Sequence, residues 1–144
     1  MHPYPHLYTV SASAMPEGEA PVSSAGLPTL NTAPPAEFGG PGDRWSPETL
    51  FCAAVGDCFL LSFRAVARAS KFDWSELQCQ VDGVLDRVDG VTRFTQMRLK
   101  ATLRVPSGSN REKAVKLMEK AEHVCLISNS LVCERLLETS VIEN

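Results

Sequence analysis

The first 43 residues of this 144-residue chain contain neither lysine nor arginine. Net charge over the whole chain is -3, which argues against a protein built to grip a phosphate backbone. Aromatic residues make up 7%, and none interleaves with the basic residues in the manner of a nucleic-acid stacking platform. No Cys-x-x-Cys or His-x-x-x-His spacing occurs, and His2, His6 and His123 are scattered, so no zinc motif is present and no metal is expected. The longest apolar stretch, Leu50 to Phe63, is interrupted by Asp57 and followed by Arg64 and Arg68, short of the roughly 20 residues of a membrane helix. No membrane association is expected. The opening MHPYPHLYTV lacks a basic region followed by a long apolar one, so the expectation is no secretory signal and a cytoplasmic protein. An odd set of cysteines, Cys52, Cys58, Cys79, Cys125 and Cys133, then reads as reduced thiols. In that setting a cysteine is first of all a small buried hydrophobe.

What is present is ordinary for a globular protein: 44% hydrophobic and 22% charged residues, and a length that fits one domain, 1–144. Nine of the ten prolines lie in residues 1–47, which excludes long helices there. Tyr8, Val10, Ala12 and Ala14 alternate with polar residues and predict a strand, and Val22 to Leu27 predicts a second strand entering a turn. Residues 31–45 read as a loop, closing an N-terminal region of strands and loop over 1–45.

Ser46-Pro47-Glu48 is a helix start: a capping serine, proline at the first helical position and an acid in the first turn. The helix is predicted over 46–70. Apolar residues wrap most of its circumference, the mark of a buried central helix. It would be about 35 Å long, long for so small a domain, which suggests that a second copy of the chain covers part of it. A hairpin is predicted over 74–106, with Leu77, Cys79 and Val81 on one strand, Met97, Leu99, Ala101, Leu103 and Val105 on the other, and Asp89-Gly90 at the turn. An amphipathic helix follows over 110–123 with Ala114, Leu117, Met118 and Ala121 inward. Ser128-Asn129-Ser130 reads as a turn into a final strand over 131–142. The order predicts an α+β fold with a largely antiparallel sheet.

A helix beginning Ser46-Pro-Glu48-Thr-Leu-Phe51, with Cys58 ten residues after the Glu, and a later Cys125-Leu-Ile-Ser-Asn-Ser-Leu131 resemble the OsmC/Ohr family of osmotically inducible and organic-hydroperoxide-resistance proteins. The resemblance spans nearly the whole chain, including Phe38-Gly-Gly-Pro-Gly42 and the hairpin. It implies an OsmC-like fold, antiparallel sheets wrapped around the long helix in an intertwined homodimer. It implies a thiol peroxidase reducing organic hydroperoxides, with Cys58 matching the peroxidatic thiol and Cys125 the resolving one. It also implies no bound cofactor, and an external dithiol reductant, dihydrolipoamide in the Ohr branch.

The other cysteines read as packing residues. Cys52 lies six positions before Cys58 on one helix, about 9 Å away in rise, too far for a disulfide. Cys79 and Cys133 fall at apolar-facing positions of predicted strands. A thiolate needs a nearby cation, and by resemblance this is an Arg oriented by a Glu. Glu48 matches the Glu, but the segment expected to carry the Arg, Ala14 to Ala20, has no basic residue. Arg44 is the nearest replacement. Glu48 and Cys58 of one chain lie about 15 Å apart along a straight helix, so Glu48 and Arg44 are expected to serve the partner's Cys58 with the helices antiparallel. Asp57 is a charge in an apolar stretch, and two readings stay open for it: beside the thiol it raises the pKa and opposes catalysis, or it pairs with an arginine across the dimer. The missing Arg keeps open a family member with weak peroxidase activity or a redox-sensing or ligand-binding role.

Overall fold

The computed structural model describes all 144 residues. The chain, read from its sequence as one domain, packs as two compact units, Met1–Leu50 and Phe51–Asn144.

The first unit holds three short strands, β1 (Ser11–Ala12), β2 (Ala20–Ser23) and β3 (Leu30–Thr32), in an antiparallel sheet of order β1-β2-β3. The alternation from Tyr8 to Ala14 yields only the two residues of β1. Residues 1–14 are exposed throughout, so no buried face fixes a longer strand. β3 falls at the start of the expected loop. It is three residues long between Pro28 and Pro34, too short to carry a period, and is held by pairing with β2 and by the Thr32 hydroxyl donating to the Ala20 carbonyl at 2.8 Å. A 3-10 turn, Ala36–Phe38, follows. Gly40 next to it cannot be replaced without moving backbone, because a Cβ there would strike the Pro34 carbonyl.

Helix α1 (Pro47–Ala69) starts on a reciprocal cap. Ser46 Oγ accepts the Thr49 N–H at 3.1 Å, and Thr49 Oγ1 accepts the Ser46 N–H at 2.9 Å. This is a capping box with Thr in place of the usual Glu or Gln. It ends with Lys71 in the left-handed region and the Phe72 N–H on the Ala67 carbonyl at 2.9 Å.

In the second unit, β4 (Glu76–Val88) and β5 (Val91–Val105) pair antiparallel around Asp89-Gly90, both left-handed as a tight hairpin turn requires. Helix α2 (Arg111–Val124) is capped by Asn110 Oδ1, which accepts the Lys113 N–H at 3.0 Å. A 3-10 turn, Ser128–Ser130, leads to β6 (Glu134–Glu143). β6 pairs parallel to β5, so the sheet β4-β5-β6 is mixed rather than largely antiparallel. The cause is the intervening helix: a strand–helix–strand crossover returns the chain in its original direction. The strand begins at Glu134, which leaves Cys133 just outside it, half-buried.

Both helices pack on one face of this sheet. Met97, Leu99, Ala101, Leu103 and Val105 of β5 are buried against Val55, Phe59, Phe63 and Ala67 of α1 and Ala114, Met118 and Ala121 of α2 in one core. Gly56 lets α1 approach β4, since a Cβ there would stand 3.0 Å from Val81 Cγ2. The opposite face carries Arg98, Lys100 and Arg104 in solvent.

α1 is long and apolar enough to pass for a membrane span by length and composition. Its buried face makes it a core helix. It is not buried all round, as its composition suggests: Phe51, Ala54, Leu61 and Ala65, at helical spacing on another side, are exposed. Asp57 is exposed as well, so its charge carries no burial cost within the chain.

Candidate active site

Cys58 sits in the middle of α1, half-buried, with its Sγ 3.9 Å from Ser62 Oγ one turn on. Cys125 ends α2 and is fully buried. The fold places these two thiols, 67 residues apart in sequence, near enough for Cys58 to act on Cys125. Burial pushes the Cys125 thiol up, because an apolar surrounding disfavours the thiolate. The Ser128 hydroxyl and backbone N–H act the other way, and the neighbouring Cys58 adds to the rise.

The segment around Cys125 is tied down from several directions. The Cys125 N–H reaches the Glu122 carbonyl at 3.3 Å, and the Cys125 carbonyl accepts the Asn129 N–H at 2.9 Å. Asn129 Nδ2 donates to the His123 carbonyl at 3.1 Å, and Asn129 Oδ1 accepts from Arg135 Nη1 at 3.0 Å. Arg135 Nε also stands 3.2 Å from Glu122 Oε1, linking β6 to the last turn of α2. At that contact Oε1 receives no well-aligned hydrogen bond. None of Glu122, Ser128, Asn129 and Arg135 stands out as a site residue from the sequence. The only signal was the polar Ser-Asn-Ser after Cys125.

The remaining cysteines pack. A Cβ at Gly83 would meet Cys52 Sγ at 2.5 Å, so Cys52 fills the space that glycine leaves. Burial raises its thiol, and burial with the nearby Cys125 pushes Cys79 up to about 11. Both stay protonated near neutrality, as packing thiols do.

The charged candidates belong to the first unit. Arg44 is exposed and engaged within the first unit: its Nε stands 2.7 Å from Glu19 Oε1 and its Nη1 3.3 Å from Asp43 Oδ2. The hydrogen bond to Glu19, then the charges of Asp43 and Glu19, raise its already high pKa. It is not paired with Glu48. Glu48 lies in the first turn of α1, half-buried, and its Oε2 is buried with no hydrogen-bond donor. No group of His, Cys, Asp and Glu is arranged to hold a metal ion.

A mixed sheet with both helices on one face, and a pair of adjacent thiols between the long helix and the end of the crossover helix, define an α+β dithiol protein. The chain belongs to the OsmC-like protein family, whose model matches residues 40–138. An uncharacterized protein of Acinetobacter baylyi is 30% identical over 126 residues, covering 86% of this chain and 85% of that protein. The fold matches an OsmC-like protein of unknown function from Vibrio cholerae with a TM-score of 0.83 at 16% identity, over 93% of this chain and 99% of that one. A structure from Legionella pneumophila, described as an organic hydroperoxide resistance protein OsmC, is 28% identical with a TM-score of 0.75, over 94% and 96%.

Proposed function

We propose that this protein is a thiol peroxidase that reduces organic hydroperoxides to alcohols. The observation that carries the reading is the adjacency of the half-buried Cys58 thiol and the buried Cys125 thiol on one side of the sheet. The similarity to the Legionella protein supports it.

The Cys58 thiolate attacks the peroxide: a sulfur–oxygen bond forms, the oxygen–oxygen bond breaks, and the alkoxide takes a proton and leaves as alcohol. Cys58 is then a sulfenic acid. Cys125 attacks it, water leaves, and a Cys58–Cys125 disulfide forms. An external dithiol of the dihydrolipoamide type reduces that disulfide in two exchange steps. The cycle requires no metal, haem or flavin and belongs in the reducing cytoplasm.

The working form in this proposal is a homodimer. A second copy covers the exposed apolar stripe of α1, with the two long helices antiparallel. Glu48 and Arg44 of that copy then serve Cys58 of the first. The buried, unpartnered Glu48 Oε2 favours this, since a buried carboxylate oxygen calls for a donor. Arg44 is held only by exposed ion pairs, which exchange readily.

A second reading has one observation in its favour. Residues Ala14 to Ala20 contain no cation and Arg44 is occupied by Glu19 and Asp43, which favours a slowly reacting family member used as a redox sensor. Disulfide mapping by mass spectrometry separates the readings. Reduced protein receives one equivalent of cumene hydroperoxide or hydrogen peroxide. A rapid Cys58–Cys125 disulfide, faster with the organic peroxide and absent in Cys58→Ser, is the expected result. A slow disulfide without peroxide preference selects the sensor, and two thiols that stay reduced in a folded protein sink both.

A further inference from the structure

Ser62 sets a hydroxyl into the otherwise apolar run from Phe59 to Phe63 of α1. A serine within a helix ordinarily turns its hydroxyl back onto the carbonyl one turn earlier. Ser130 makes a bond of that kind, its Oγ donating to the Leu126 carbonyl at 2.8 Å. Ser62 turns instead toward Cys58 Sγ, 3.9 Å from its Oγ, within the longer reach of a hydrogen bond to sulfur. Residues four apart share one helix face. The contact is therefore built into α1 itself and needs no other element to hold it. Both side chains are half-buried.

While Cys58 is a thiol, either group can donate to the other. Once it is a thiolate it has no proton left, and the hydroxyl is the donor of the two, now to a charged acceptor. The contact is thus strongest in the form that reacts. We infer that Ser62 is a catalytic hydrogen-bond donor to the Cys58 sulfur, stabilising its thiolate from within the same helix. The inference rests on the proposed two-cysteine cycle and names a group that activates the attacking thiol. It also meets a need of this chain, since Ala14 to Ala20 carry no cation and Arg44 is held by Glu19 and Asp43.

In the first step the Cys58 thiolate attacks one peroxide oxygen. The sulfur–oxygen bond forms, the oxygen–oxygen bond breaks, and one electron pair oxidises the sulfur and reduces the peroxide. The departing alkoxide takes its proton from water, and Ser62 keeps its own. Negative charge leaves the sulfur as the new bond forms, so the donor stabilises the thiolate more than the transition state. It raises the thiolate fraction and lowers the thiolate's intrinsic nucleophilicity, the second by about half as much on a logarithmic scale. Below the ionisation midpoint of Cys58 the first effect wins, and above it only the second remains. The titratable group that acts with Cys58 from another element is Cys125 at the end of α2. Cys79 of β4 lies next to Cys125, and β5 gives the core only apolar side chains. Asp57, beside Cys58 on α1, is exposed.

The test compares Cys125→Ser with Cys125→Ser carrying Ser62→Ala, an exchange that favours the helix. The first readout is independent of peroxide. 4,4′-Dithiodipyridine is the probe, and its reaction at Cys58 is read by peptide mass spectrometry from pH 5 to pH 11. Without the hydroxyl, the pH of half-maximal rate is expected to rise by about one unit. Below that midpoint the reaction becomes about threefold slower, and on the alkaline plateau about threefold faster. Ser62→Thr, which keeps the hydroxyl, returns both limbs toward the parent. A change of packing or access moves both limbs in one direction, so that result, like an unchanged profile in folded Ser62→Ala, overturns the inference. The second readout uses cumene hydroperoxide and traps Cys58 sulfenic acid with dimedone. Below the midpoint Ser62→Ala forms the sulfenic acid about threefold more slowly. A Cys125→Ser protein that forms no sulfenic acid overturns the proposed function instead, and the dithiodipyridine profile still decides the role of Ser62.

Discussion

Arg135 Nε and Glu122 Oε1 lie 3.2 Å apart, and theirs is the one ion pair of the chain in which both side chains are less than a third exposed, at 26% and 18%. Through Asn129 the same arginine reaches the turn that carries Cys125. Removing it leaves Glu122 half-buried without a counter-charge. Arg135→Met is expected to cost about 1–2 kcal/mol in urea unfolding. Amide exchange at Asn129 should also quicken. Unaltered stability and exchange would show that the pair ties nothing down.

Cys79 makes the reduced protein sensitive to alkali. Burial, then the neighbouring Cys125, raises its thiol from 9.0 to about 11. The native state therefore holds this proton more tightly than the unfolded chain does. The stabilisation is fully present below pH 9 and is lost as pH rises through 11. Its size is on the order of 2 kcal/mol. Denaturant midpoints of the reduced protein should fall between pH 9 and 11, and Cys79→Val should flatten that fall. Part of the slope will survive, because Cys52 and Cys125 are raised in the same direction.

Gly83 is expected to reject a side chain. A Cβ there would stand 2.5 Å from Cys52 Sγ and 2.9 Å from Phe94 Cε1. Gly83→Ala should destabilise by about 1–3 kcal/mol through overpacking. Adding Cys52→Ala should recover part of that loss, giving a measurable coupling in a double-mutant cycle. Strictly additive losses would mean that the sheet has shifted away from the helix.

The open stripe of α1 provides the test of assembly. Leu61 is 47% exposed within the chain. Leu61→Lys should convert a dimer to monomer in light scattering at micromolar concentration and weaken association more than tenfold. If the parent protein is itself monomeric at that concentration, the antiparallel dimer proposed here is wrong.

The strongest sequence signals came from local chemistry. Ser46-Pro47 and Asp89-Gly90 each punctuate an element through two residues, and each marks an element boundary in the structure. What the sequence hid was set by distant partners. β6 reads like any strand, and its parallel pairing follows only from α2 crossing over the sheet. Arg44 looked free because its partner Glu19 lies 25 residues away. Cys58 and Cys125 were legible through their flanking residues, which the family resemblance could use. Ser128, Asn129 and Arg135 were not, because a buried hydroxyl and an exposed one share the same letter.

The nearness of Cys58 and Cys125 also makes folding stability a gauge of oxidation. A bond between them closes a loop that contains the hairpin and α2. For a span of 67 residues, chain-entropy reasoning gives about 4 kcal/mol of added resistance to unfolding. In the proposed cycle each turnover would carry the molecule between a looser and a tighter state, and a melting curve alone would report where in that cycle it stands.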